Sequence, residues 1–307
     1  MLMQSAAVTT AATDRPPPLP RTISRRRLFK RFAAYAAVPV VGGVYATQIE
    51  PFWLDPHEVT IPVPGLPAAF ENYRIAHLSD LHAGRTPWTY LQRVVERVRA
   101  LKPDAVAVSG DSIHHNVNWA EPTSRLLGSL VSNDVPVVVS FGNHEYGVER
   151  GDEDPDTPDL ADRFAAALTQ QGCTVLINGA TAVGRRGQQL WFVGMDDLWF
   201  GDFNPTKAFA AVPLGATTIA LSHNPDTAEA VDHHRPGLIL AGHTHGGQVR
   251  LPGFGALQLN TRNTQLDQGL FHLPLGSPLY VSRGVGYIER VRFYCRPELP
   301  VFRLLRA

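Results

Sequence analysis

The sequence predicts an α/β sandwich of two mixed sheets with helices outside. Three observations predict it. Short apolar strands alternate with amphipathic helices through the first half of the chain and with loops and hairpins through the second. Five of those strands end in a polar residue of a type that binds ligands. The chain's 307 residues, 44% of them hydrophobic, supply an ample core for one large domain or two small ones.

In chain order, Glu58–Pro64 alternates weakly between prolines and is expected as an edge strand. Arg74–Asp80 reads as a strand ending in Asp80-Leu81-His82, with His77 inside it as a packed core histidine. A helix is expected over Trp88–Leu101, where Leu91, Val94, Val95, Val98 and Leu101 form one stripe and Pro103 stops it. Ala105–Ser109 is a second apolar strand, closed by Gly110-Asp111. Glu121–Val131 is predicted helical, with Pro122 in its first turn. Val135–Ser140 runs as a third strand into Gly142-Asn143-His144-Glu145.

Glu149–Asp159 is an acidic, proline-bearing loop whose charges are read as solvated. Leu160–Gln171 is expected as a helix stopped by Gly172. Thr174–Ile177 and Leu190–Val193 are read as strands, with Asn178-Gly179 as a turn between them. Asp196–Phe203 is a loop whose Trp199, Phe200 and Phe203 either fill the core or wall a substrate site. Ile219–Ser222 leads to His223, and Leu238–Ala241 to Gly242-His243-Thr244-His245-Gly246-Gly247. Strand alternation would point His243 and His245 to one side, and the glycines let the backbone turn close to whatever the rings hold. Beyond them, Leu279–Ser282, Ile288–Tyr294 and Pro300–Leu304 read as three short strands.

Residues 1–50 differ from residues 51–307 and are set apart as a disordered amino terminus with an export signal or anchor. Residues 1–20 are rich in Ala, Thr and Pro. Ser24-Arg25-Arg26-Arg27-Leu28-Phe29-Lys30-Arg31 then precedes an uncharged apolar run from Phe32 to about Ala46. A basic stretch before a short apolar one is the grammar of a signal peptide, and the run is marginal for a span, which needs about 20 apolar residues. Ser24–Lys30 resembles a twin-arginine (Tat) export signal, with Arg25 and Arg26 as the pair. Val44-Tyr45-Ala46 offers a small-residue cleavage site, and an uncut anchor is the alternative. Either way the body is expected beyond the bacterial cytoplasmic membrane, in the periplasm or cell wall, or anchored to the membrane.

Formal net charge is zero, but residues 1–50 carry seven basic and two acidic side chains. Residues 51–307 therefore keep 21 of the 28 basic and 26 of the 28 acidic ones. A mildly acidic body speaks against a nucleic-acid-binding surface. Cys173 and Cys295 lie far apart in sequence, outside any CxxC pattern, and are read as buried thiols rather than a disulfide.

Neighbouring strands bring their carboxyl ends to one rim of a sheet, where sites of open α/β folds gather. That rim would carry Asp80, His82, Asp111, Asn143, His144, His223, His243 and His245. A cluster of carboxylate, imidazole and amide suits Mn, Fe, Zn or Mg rather than Cu(I) or an iron–sulfur cluster. The groups are too many for one tetrahedral zinc. Two dications held together need an anion between them, and a strand-end Asp is the usual choice.

In this order, Asp80-x-His82, Gly110-Asp111, Gly142-Asn143-His144-Glu145, His223 and Gly242-His243-x-His245 resemble the calcineurin-like metallophosphoesterases over residues ~70–250. The resemblance implies a double-sheet αββα sandwich. It implies that Asp80, His82 and His245 hold one divalent metal ion, that Asn143, His223 and His243 hold a second, and that Asp111 bridges them. His144 would sit beside the scissile phosphate instead of binding metal. The implied reaction is hydrolysis of a phosphate ester, with a bridging hydroxide attacking phosphorus in line. His144 would offset phosphoryl charge and, as imidazolium, protonate a poor leaving group; a neutral structural ring is the alternative.

Where many members of the family have Asp or Tyr three residues after the bridging Asp, this chain has His114, which argues against the purple acid phosphatase branch. A hydrogen bond behind the metal ligands is one role open to His114. Arg283, in Ser282-Arg283-Gly284, either reaches a substrate phosphate or is structural. With its leader the chain looks like exported phosphodiesterases, and Tat machinery, which carries folded cargo, would be its export partner. It is also similar to the membrane-associated branch that includes UDP-2,3-diacylglucosamine pyrophosphatases. The substrate would then be a phospholipid or a nucleotide-linked lipid, although UDP-linked lipids are cytoplasmic and export counts against them. The reading of another class is an inactive binding module on the same frame, but all seven metal-ligand positions hold suitable residue types.

Overall fold

The structure is a computed structural model that describes residue 26 and residues 39–149, 152–153 and 159–307. Apart from Arg26, the expected export block and most of the apolar run lie outside the described residues, as does most of the acidic loop. Contacts divide the chain into Met1–Gly43 and a second unit, Val44–Ala307. It opens with a π-helical turn, Tyr45–Ile49, and a 3₁₀ turn, Glu50–Phe52.

Sixteen strands and five α-helices follow among the described residues. The first part comprises β1 (Asp55–Val63), β2 (Arg74–Leu78), α1 (Trp88–Leu101), β3 (Ala105–Ser109), α2 (Ala120–Gly128), β4 (Val137–Ser140), the ribbon β5 (Val148–Glu149) and β6 (Asp152–Glu153), α3 (Leu160–Gln170) and β7 (Thr174–Val175). After these come β8 (Gly179–Arg185), β9 (Gln188–Gly194), α4 (Pro205–Phe209), β10 (Thr218–Leu221), α5 (Ala228–Asp232) and β11 (Leu238–Ala241). The last are β12 (Arg250–Leu251), β13 (Gly255–Ala256), β14 (Gly269–His272), β15 (Pro278–Val281) and β16 (Glu298–Arg306).

Two six-stranded sheets result, ordered β1-β16-β2-β3-β4-β7 and β14-β15-β11-β10-β9-β8. Strand alternation sorts their side chains into layers. Ile75, Ala105, Ala107 and Val138 of the first sheet pack against Phe192, Ile219, Leu221, Leu238 and Leu240 of the second. The opposite faces carry Ala76, Val106, Val108 and Val139 against Leu91, Val94, Val98, Leu127 and Phe164 of α1–α3. On the far side, Val193, Ala220, Ile239 and Val281 meet Ala208 and Val231 of α4 and α5. The layering is αββα, with every layer boundary apolar.

Both sheets are mixed, but their centres are parallel: β2 with β3 and β4, and β9 with β10, β11 and β15. Parallel pairing sends the carboxyl ends of all these strands to one edge of the sandwich, which positions the site.

Most elements lie where the sequence places them, and β1 is indeed an edge strand. Ile288–Tyr294 is not a strand, which corrects that expectation. Its backbone N–H groups go to three different places: Val291 to Glu289, Arg292 to Ala46 and Phe293 to Gln248. Tyr294, at φ +54°, also breaks the extended path. Cys173 and Cys295 are buried free thiols, and His77 is a buried core ring bonded to Ser109 Oγ at 2.8 Å.

Candidate metal centre

Five of the ligand-type residues take left-handed backbone: Asp80 (φ +55°), His82 (+47°), Asp111 (+53°), His243 (+68°) and His245 (+51°). Each such residue costs roughly 1–3 kcal/mol unless its surroundings impose it, and such strain clusters at functional sites. Here the surroundings do impose it. Asp80 N–H bonds Gly110 O at 3.0 Å, and His82 N–H bonds Asp111 O at 2.9 Å, locking the tips of β2 and β3 together. His243 and His245 reach the cluster through this turned backbone after β11 ends, not by the strand alternation expected for them.

Two glycines make the crowding possible. A side chain at Gly142 would run into Asp111 Oδ1 and the His223 ring, and one at Gly242 into Ser79 Oγ and Asp80 Oδ2.

The side chains converge as two groups. Ligand-type atoms of Asp80, His82 and His245 lie within 4.8 Å of one another, and so do those of Asp111, His223 and His243. Within the first, His245 Nε2 is 3.3 Å from Asp80 Oδ1 and 3.0 Å from His82 Nε2. Within the second, His223 Nε2 is 3.0 Å from Asp111 Oδ2 and 3.3 Å from His243 Nδ1. Asp111 Oδ2 joins them, because it also lies 3.8 Å from Nε2 of His82 and of His144. His82, His114 and His144 form a third such group at the edge.

Partners behind the rings set which nitrogen is available. His223 Nδ1 meets Ser109 O at 2.8 Å and His243 Nε2 meets Asn260 O at 3.2 Å. A carbonyl only accepts, so those nitrogens carry hydrogen and the inward ones are the nitrogens that would ligate. Asn143 Oδ1 is buried without a protein partner, as an amide oxygen reserved for a cation would be. This donor set fits divalent ions.

Glu145 is a residue whose role the sequence reading missed, although it stands in the quoted Gly142–Glu145 motif. Its Oε2 accepts Asp111 N–H (2.9 Å) and Gly142 N–H (2.8 Å) and its Oε1 accepts Ser112 N–H (2.5 Å) and Ile113 N–H (3.4 Å), holding two strand tips together. Its position three residues after Gly142, before a turn, was the available signal. Glu145→Gln leaves one pair of these buried donors facing an NH₂ group. We expect a loss of roughly 2 kcal/mol or more of stability, read as a lower denaturant midpoint. Asp197 was missed too. It follows β9 as the other tip residues follow their strands, is buried, and leaves Oδ2 unpartnered while Oδ1 accepts Trp199 and Phe200 N–H.

Burial works against charge on His223, but Asp111, Asp80 and Asp197 outweigh it and push its pKa up to about 10. The metal-free ring is therefore protonated at neutral pH, and an ion can bind only by displacing that proton. Metal addition at pH 7–8 is expected to release a proton at this group. Its apparent affinity should rise by up to about tenfold per pH unit, which an indicator dye and a titration at two pH values check.

Burial lowers His144, and the neighbouring His115 and His114 lower it further, to well below the ordinary histidine range. Without metal or substrate its ring is neutral at neutral pH and can serve as a neutral N–H donor.

Arg85 Nε donates to His114 Nε2 at 3.0 Å, leaving that ring's hydrogen on Nδ1, 3.3 Å from His82 Nδ1. This contact does not back a ligating His82 Nε2, which needs the His82 hydrogen on Nδ1. The Arg283 guanidinium is engaged by carboxylates, Glu298 at 2.8 Å and Asp55 at 3.0 Å. Trp199 places its ring edge-on to His243 at 4.4 Å, while Phe203 packs with the outer core.

An αββα frame whose parallel strand tips gather two carboxylates and several imidazoles defines a metal-dependent phosphoesterase. The profile of the calcineurin-like phosphoesterase family matches residues 73–247, and the chain belongs to that family. It is 30% identical to the phosphodiesterase YaeI of Escherichia coli, over 92% of this chain and all of that one. It is 28% identical to the UDP-2,3-diacylglucosamine pyrophosphatase LpxG of Chlamydia muridarum, over 89% of this chain and 95% of that one. It is 27% identical to the metallophosphoesterase YkuE of Bacillus subtilis, over 92% and 98% respectively.

Proposed function

We propose that this chain hydrolyses phosphodiesters, with Asp80, His82 and His245 holding one divalent ion, Asn143, His223 and His243 a second, and Asp111 shared between them. The observation that carries this reading is Asp111 Oδ2, set against imidazole nitrogens of both groups and of His144. Bound there, Mn, Fe, Zn or Mg ions would supply Lewis acidity toward a phosphoryl oxygen and acidify a water near neutral pH. The chain's own residues do the rest. His144 donates a hydrogen bond to a phosphoryl oxygen from a fixed, water-poor position. Glu145 and the glycines hold the tips in register.

The likeness to a phosphodiesterase over that protein's whole length favours a diester. A nucleotide-linked lipid pyrophosphate is the second reading, favoured by the likeness to LpxG. Incubation with bis-p-nitrophenyl phosphate, p-nitrophenyl phosphate and a UDP-linked lipid, with Mn²⁺ and with chelator, separates them. Metal-dependent release from the first, abolished by chelator, is expected. No metal-dependent release from any of the three would overturn the reading.

We also propose that residues 24–46 target the body to the far side of the cytoplasmic membrane and stay attached as an uncut anchor. The Ala46 side chain is buried, its carbonyl accepts Arg292 N–H at 2.8 Å, and Tyr45 meets the Phe293 ring edge-on. A cut after Ala46 would strip these contacts from the body. Among the described residues no helix is long and apolar enough to cross a membrane, so the proposal rests on residues 24–38 as sequence. The intact mass of protein recovered from membranes decides whether the leader is retained.

A further inference from the structure

Phe254 is 87% exposed, Tyr294 68% and Leu257 62%, with Trp53 and Leu251 also in water. Scattered exposed hydrophobics need no explanation, but these belong to segments bonded side by side. β12 pairs with β13, Val249 bridges to Phe293, and Arg250 N–H bonds Phe293 O at 2.9 Å. Phe293 in turn carries Tyr45, and Arg296 hydrogen-bonds Trp53 O at 3.0 Å. The exposed side chains are therefore carried by adjoining segments, from the β12–β13 hairpin across residues 293–294 to Tyr45–Trp53.

We propose that this surface docks on a lipid bilayer, with Phe254 and Leu257 entering the headgroup region and Tyr294 and Trp53 at the waterline. The hairpin is built to hold an apolar tip outward. Leu251-Pro252-Gly253-Phe254 has Pro in second place and Gly253 at φ +81° in third, as a type II turn requires. Phe254 N–H closes that turn on Leu251 O at 3.0 Å.

Three features make the occupant lipid rather than protein. Trp and Tyr flank Phe and Leu, the arrangement that suits a membrane–water boundary. Arginines line the rim: Arg296 lies over the Trp53 ring at 4.4 Å, and Arg290 bonds Thr47 O. Backbone carbonyls hold both charges at this edge, Trp53 O and Leu54 O for Arg296 (which also pairs with Asp55 at 3.5 Å) and Thr47 O for Arg290, where anionic headgroups would meet them. Finally, the apolar run that follows the basic Ser24–Arg31 block joins the body at Val44–Tyr45, on this same surface.

The hairpin also grows straight out of the centre. Arg250 Nη1 bonds Gly246 O at 2.9 Å, and Asn260 O receives His243 Nε2–H. Between them a cavity of about 190 Å³ opens beside His243 and His245, lined by Gln258, Asn260 and Ile288. Docking sets this cavity against the headgroups, so an amphiphilic phosphodiester reaches it without leaving the bilayer. That use rests on the phosphodiesterase reading, whereas the docking does not.

The test uses the full chain with Phe254→Cys bearing an environment-sensitive fluorophore, the two native thiols being buried. Leu214→Cys, at a fully exposed turn, is the control. Vesicles of phosphatidylethanolamine and phosphatidylglycerol should shift the Phe254 label to the blue, with quenching by spin-labelled lipid, and leave the Leu214 label unchanged. A Phe254 label that stays in water on vesicle-bound protein overturns the proposal. So does a shift that grows with protein concentration without vesicles, which would mark a contact between copies.

The double variant Phe254→Ser, Leu257→Ser should lose tenfold or more of its rate on a phosphodiester lipid in vesicles. Its rate on bis-p-nitrophenyl phosphate should hold, and equal loss on both substrates counts against docking. If the unaltered chain cleaves neither, the reaction reading fails while the label still decides the docking.

Discussion

Asp111→Asn is expected to abolish hydrolysis, by roughly 10³-fold or more, and to lower metal content below that of the unaltered chain. Two divalent cations that share one site repel, and the carboxylate between them is what makes their joint binding favourable. Asparagine keeps the size and an acceptor but removes the charge. It also places an NH₂ group where Oδ2 now faces His223 Nε2 at 3.0 Å or Oδ1 accepts His144 N–H at 3.0 Å. The loss of several kcal/mol of electrostatic stabilisation corresponds to the stated factor. The checking measurement pairs turnover of a diester with elemental analysis of the same sample. A variant that retains full metal and near-normal turnover would remove Asp111 from between the ions.

His144→Ala is expected to separate the two quantities instead. Metal content should be kept, because His144 lies 3.8 Å from Asp111 Oδ2 and belongs to neither principal ligand group. Turnover should fall by about 10²–10³-fold, the usual cost of removing a single positioned donor to a developing charge. The ring is neutral at neutral pH because it is buried among other imidazoles. Its contribution should accordingly be constant through neutral pH rather than fade as pH rises past the ordinary histidine range. A pH profile of the variant parallel to that of the unaltered enzyme is the expected signature. Normal turnover in His144→Ala would exclude the ring from the reaction.

The strand tips were legible because buried parallel strands are continuous apolar runs, and each run stops at a residue too polar to continue it. Asp80, Asp111, Asn143, His223 and His243 stand out for that reason. What the sequence could not carry is the backbone between them. Left-handed conformation at Asp80, His82, Asp111, His243 and His245 is imposed by bonds such as Asp80 N–H to Gly110 O, thirty residues away. Arg283 was ambiguous for the same reason, since its partner Asp55 lies 228 positions away. The short helices α4 and α5, five residues each, are too brief to show a period. β8 was missed because Gly179 and Gly184 interrupt it and its side chains are only half-buried. Ile288–Tyr294 has the composition of a strand but no single partner to lie beside.

The central claim is that five strand tips hold two divalent ions around Asp111. Equilibrium dialysis of the metal-stripped chain against Mn²⁺ or Zn²⁺, followed by elemental analysis, tests it most directly. The account predicts about two ions per chain, with Asp111→Asn binding fewer. Less than one ion per chain at saturating metal would contradict it.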